Sequence, residues 1–106
     1  MRTPNWIINI QNAIDKERAY IGQYEDYKKL INDIKQYGVE QVYRDVPAEI
    51  PYAINFYELN KNTDFDKLIS RCEHRINDLN LRLKKAQIEY KKWLINKEFE
   101  GYISNS

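Results

Sequence analysis

Apolar residues recur through the last third of the chain at alternating steps of four and three: Phe65, Ile69, Cys72, Ile76, Leu79, Leu83, Ala86, Tyr90 and Trp93. No polar residue interrupts this ladder. A mean step of about 3.5 residues is the period of a helix packed lengthwise on another helix. The pattern predicts a helix from Thr63 to about Glu100, ending at Gly101. Thr63 and Asp66 have capping-box spacing, and Asp64 and Asp66 place negative charge at the positive end of the helix dipole.

A second long helix is predicted over 3–37. Thr3 is read as its cap and Pro4 as its first residue, where a missing N–H costs nothing. Gly38 supplies the stop, as a left-handed residue after the last turn. The apolar face reads Trp6, Ile10, Ala13, Tyr20, Tyr24, Tyr27, Ile31 and Ile34, flanked by Ile7, Ile14 and Ile21. That face is wider than one seam needs and suits a helix with two neighbours. Glu17 interrupts it. Either Glu17 pairs with a basic residue and fixes register, or the packing face tilts toward Ile14 and Ile21 and leaves it at the edge.

Between the long helices, 38–62 reads as a short helical insertion. Val39, Val42, Tyr43 and Val46 keep helical spacing, and Pro47 and Pro51 punctuate the chain. Tyr52–Leu59 contains strand formers, yet no second strand is present to pair with it, so a second short helix is expected. The fold expected is all-α: two long antiparallel helices in a coiled-coil-like hairpin, with a helical insertion and a tail over 101–106. With 106 residues a single domain is expected, with a core small enough that pairing into a dimer would help it.

Taking the ladder as the a and d positions of a heptad puts Leu81, Ile88 and Ile95 together at f, with Tyr102 next. Position f lies nearly opposite the seam and should face water. Three large aliphatic residues in register there call for a cover, supplied either by the middle segment folding back or by another chain, the remaining alternative being simple exposure. These three, with Tyr43, Tyr52 and Tyr57 from the insertion, form the expected partner-binding set. Tyrosine joins a large apolar body to a polar tip and suits a half-wet interface.

Charge refines this picture. Charged residues make up 31% of the chain, 17 basic against 16 acidic, which excludes a broadly basic nucleic-acid coat. Up to Ser70 the balance is −2, and from Arg71 onward it is +3. The basic excess includes Arg82, Lys84, Lys85, Lys91 and Lys92, a band able to meet an acidic protein surface or nucleic-acid phosphates.

Motifs for catalysis are missing from this reading. Cys72 sits on the ladder as a small buried hydrophobe, and His74 lies among charged residues on the polar side. Cys72, Glu73 and His74 are consecutive, so they fan out around a helix and cannot close on one metal. No phosphate-cradling glycine pattern or zinc spacing occurs. The expectation is therefore a chain with no enzymatic activity, cofactor, metal or small-molecule substrate. A lone cysteine, no signal-peptide pattern and no membrane-length apolar run point to the cytoplasm and away from membranes.

In size and helical make-up the chain resembles the small secreted WXG-type proteins, but its turn reads Gln36-Tyr37-Gly38 where they have Trp-x-Gly. It is also similar in general type to small phage and mobile-element proteins, including some anti-CRISPR inhibitors. That class has no shared motif, so the likeness assigns no residue a role. The function expected is a protein-binding module, an accessory protein or inhibitor that occupies a target's surface and pairs with itself as a homodimer. The alternatives are a nucleic-acid-binding accessory protein using the basic band and a self-assembling coiled-coil scaffold.

Overall fold

The computed structural model describes residues 3–104, with side chains through 98. Its elements are helix α1 (Asn5–Tyr37), the short α2 (Val39–Val42), a 3-10 turn (Pro47–Glu49), α3 (Ile50–Asn60) and α4 (Phe65–Ser104). No strand occurs among the described residues. The expected all-α helical hairpin with a helical insertion is what forms, and α1 and α4 pack against each other.

The helix ends show which local signals operate. α1 starts at Asn5, and the Pro4 carbonyl accepts from the amides of both Ile7 and Ile8 at 3.1 Å. Pro4 is thus the residue before the helix rather than its first member, one position from the expected start. α4 is capped by Asp64, whose Oδ1 accepts from the Lys67 amide at 3.1 Å. The cap is therefore Asp64 and not Thr63. Asp66, in the first turn, is left to pair with Lys28 of α1, whose ammonium donates to Asp66 Oδ1 at 2.7 Å. That hydrogen bond and the adjacent charge raise the Lys28 pKa above its ordinary 10.5. The pair's small contribution is complete below that ordinary value and is lost as pH rises through the raised one. At its other end α4 runs through Gly101 to Ser104, past the expected stop. One glycine weakens a long helix by about 1 kcal/mol but does not forbid it.

Gly38 does end α1. Its amide closes the last turn on the Ile34 carbonyl at 2.9 Å, and its own carbonyl accepts the Val42 amide that opens α2. Its φ of 85° is positive as expected, but ψ is 151°, outside the left-handed helical region. This combination is open essentially to glycine alone. One residue therefore serves both as the end of α1 and the beginning of α2.

The chain divides into two compact units, one of Met1–Arg18 with Glu73–Ser106, the other Ala19–Cys72. In the first unit Ile7 and Ile14 of α1 and Ala86 of α4 are buried. As the α1 position rises from Trp6 to Glu17, its partner on α4 falls from Tyr90 to Arg75, so the helices run antiparallel. The α1 core line is Ile7 and Ile14 rather than Trp6 and Tyr20, which are 48% and 36% exposed. At the far end of the α4 ladder Trp93 is 50% exposed, so that rung is not core either.

In the second unit Ile31, Ile34, Ala53, Phe65 and Cys72 are buried. Here α1 has two neighbours. Tyr27 packs edge-on against Phe56 of α3, with ring centroids 5.0 Å apart, and against Phe65 of α4 at 6.2 Å. This explains the wide apolar face read from the sequence: its second half covers two helices. Pro47 and Pro51 lead into α3 in positions that need no amide donor, and Tyr52–Leu59 is helical throughout. Lys35 of α1 donates to the Lys61 carbonyl at 3.0 Å, satisfying an acceptor beyond the last turn of α3.

Gly22 and Gly38 should respond in opposite ways to alanine. Gly38→Ala forces a Cβ into a glycine-only conformation and should cost about 1–3 kcal/mol in urea unfolding. Gly22, in mid-helix with nothing within 4 Å of an added Cβ, should gain about 0.5–1 kcal/mol from the same change.

Candidate functional site

The face of α4 turned away from its seam is open. Leu81 is 64% exposed, Ile88 46% and Ile95 64%. Their seven-residue spacing puts them within about 40° of one another around an ideal helix, at rises of about 10.5 Å. Lys84, Lys85, Lys91 and Lys92 are also exposed and fall between them. On an ideal helix all four lie within about 80° of Leu81. Along the axis the stripe therefore reads one aliphatic residue, two lysines, one aliphatic residue, two lysines, one aliphatic residue, with the exposed Glu89 at its edge about 80° from Leu81. Arg82, the fifth member of the basic band, is exposed but lies about 100° round the helix from Leu81, outside this stripe.

The three tyrosines expected to join the site belong to the other unit. Tyr52 is 74% exposed on α3. Tyr43 and Tyr57 are half-buried. Tyr52 is accompanied on α3 by exposed Ile54 and Leu59, at 47% and 73%. Tyr52 and Leu59, seven residues apart, share one side of α3, and Ile54 lies about 160° round the helix from Tyr52.

Glu17 takes both roles weighed for it. Ile14 is buried, which leaves Glu17 beside the seam, and its side chain is still only 13% exposed. Arg75 of α4 covers it: Nη1 donates to Glu17 Oε1 at 3.2 Å and to Oε2 at 3.4 Å. The pair lies between two helices of one chain, where it sets their register. Cys72 is buried within the seam and His74 is exposed, as their positions in the pattern imply.

Sequence reasoning assigned Trp6, Tyr90 and Trp93 to the core and so missed what they form. Trp6 stands nearly perpendicular to Tyr90, at 83° with centroids 6.3 Å apart. Tyr90 lies nearly parallel to Trp93, at 16° and 6.0 Å. With Pro4 and Glu89 these rings line a groove of about 370 Å³. The Lys97 ammonium sits 4.7 Å from the centre of the Trp93 ring. The signal available in the sequence was the three-residue spacing of Tyr90 and Trp93 at the last rungs of the ladder.

No protein-family model, curated protein or solved structure matches this chain. Among the described residues, no helix is long and apolar enough to cross a membrane.

The ion pair can be tested apart from the stripe. Arg75→Ala leaves the sheltered Glu17 carboxylate without its cation and should cost about 1–3 kcal/mol in denaturant unfolding. Glu17→Leu in the Arg75→Ala background should recover most of that loss, because apolar packing replaces the charge.

Proposed function

We propose that this chain is a non-enzymatic protein-binding module, an accessory protein or inhibitor that occupies an acidic surface on another protein through the outer face of α4. The observation that carries this reading is the exposure of Leu81, Ile88 and Ile95 in one line, with lysine pairs between them. The aliphatic residues supply anchors that gain on desolvation. The lysines supply steering and select against the wrong partner. A surface with apolar pockets about 10.5 Å apart and carboxylates between them would complement both.

Charge also favours a foreign partner over a second copy at this face. An antiparallel symmetric contact centred on Ile88 would set Lys84 against Lys92 and Lys85 against Lys91. A parallel one would set each lysine against itself. Like charges so placed oppose association, so a homodimer formed through this stripe is disfavoured relative to an acidic partner. Phosphates would satisfy the lysines but leave three aliphatic side chains without a role, which ranks nucleic acid below protein.

Affinity capture from the source cells after nuclease treatment, followed by mass spectrometry, tests the proposal. The intact chain should retain an acidic protein that Ile88→Asp and Leu81→Asp lose. Circular dichroism and unfolding of these variants should stay within about 0.5 kcal/mol of the parent, since neither residue is buried. Lys84→Glu/Lys91→Glu should weaken capture and flatten its dependence on salt. If nuclease removed all bound material, or the aspartate variants retained the partner unchanged, the reading would be wrong.

A further inference from the structure

The groove at Trp6, Tyr90 and Trp93 has properties that the stripe on α4 does not share. Two tryptophans stand about half exposed there, at 48% and 50%, although tryptophan has the largest apolar surface to hide. Their rings do not close on each other. Trp6 stands nearly perpendicular to Tyr90 and Trp93 lies nearly parallel to it, so the exposed ring surface bordering the groove is that of the two tryptophans. Among the described residues lining it, the titratable non-aromatic side chain is the carboxylate of Glu89. Electron-rich ring faces beside a carboxylate attract a cation with an apolar surface, and they do so better than they attract a neutral group of the same size.

The chain itself provides an instance. Lys97 reaches back one turn and places its ammonium 4.7 Å from the Trp93 centroid, within the range of a cation–π contact. That side chain remains tethered to its own helix and belongs to none of the residues lining the groove. The groove's volume of about 370 Å³ exceeds what one alkylammonium head requires.

We infer that the groove formed by Pro4, Trp6, Glu89, Tyr90 and Trp93 is a binding site for an alkylammonium group, with the aromatic faces and the Glu89 carboxylate as its recognition elements. The ligand chemistry is a lysine or N-methylated lysine head, or a free quaternary ammonium compound carrying the same charge and apolar surface. Lys97 is the internal competitor for the Trp93 face. The site is independent of the stripe at Leu81, Ile88 and Ile95, and either can stand without the other.

Both tryptophans of the chain lie in this groove, so intrinsic fluorescence reports on it directly. The experiment titrates the full chain with tetramethylammonium, with a short neutral peptide bearing one trimethyllysine, and with the same peptide carrying the uncharged tert-butyl isostere. Saturable changes are expected with both cations. The isostere should bind about tenfold more weakly or not at all. Tighter binding of the peptide than of tetramethylammonium assigns the ligand to a protein side chain, and equal binding assigns it to a free small cation.

Trp93→Leu, which keeps Trp6 as reporter, should weaken the cations by about tenfold. Glu89→Gln should weaken them and reduce their sensitivity to salt, and Lys97→Gln should strengthen them. Circular dichroism confirms that each variant is folded. No saturable change with either cation, equal binding of the neutral isostere, or unchanged affinity in Trp93→Leu would overturn the inference.

Discussion

A helix laid against one other helix hides one side of itself. That constraint shapes both units of this chain. In the unit of Met1–Arg18 and Glu73–Ser106, α1 and α4 pack on each other, and the buried residues among those described are a narrow line of Ile7, Ile14 and Ala86. The other described large apolar residues on those segments are half or wholly exposed. In the unit of Ala19–Cys72 a third helix is present, and the core gains Ala53 and the aromatic contacts of Tyr27 with Phe56 and Phe65. The seam is the structural requirement, and the exposed faces follow from what the seam cannot cover.

Glu17 and Arg75 show the cost of that arrangement. A carboxylate placed on the seam of a two-helix packing has no deeper layer of protein to supply partners, so one long side chain from the opposite helix must cover it. Arg75 does so while remaining 57% exposed itself. The pair is a poor source of stability and a good source of register, since a shift of either helix by one residue would strand the Glu17 charge.

Much of this was legible from spacing alone. The α4 ladder from Phe65 to Tyr90 is the packed seam, because an unbroken alternation of fours and threes leaves a helix one way to lie. The end of α1 at Gly38 was legible for the same reason that no other residue fits there. The helical state of Tyr52–Leu59 followed from the lack of any pairing strand. The errors cluster at helix ends. Thr63 and Asp64 are both good caps, and the hydrogen bond from the Lys67 amide to Asp64 Oδ1 shows which of them begins the helix. Periodicity marked Trp6 and Trp93 as core, because it registers the direction of a side chain and not whether anything stands opposite. The open aromatic groove was hidden by that same limit. The exposed stripe at Leu81, Ile88 and Ile95 was readable because it falls on the side where a two-helix packing can place nothing.

The central claim is that this outer side of α4 stays open in the single chain. Thiol labelling along the helix tests it most directly, in a Cys72→Ala background with cysteine placed singly at 81, 86, 88 and 95. The account predicts labelling at 81, 88 and 95 at rates close to those of a free peptide thiol, unchanged on dilution, with position 86 slower by orders of magnitude. Protection of 81, 88 and 95 that persists in dilute solution would mean that the chain already covers its own stripe, and would contradict the account.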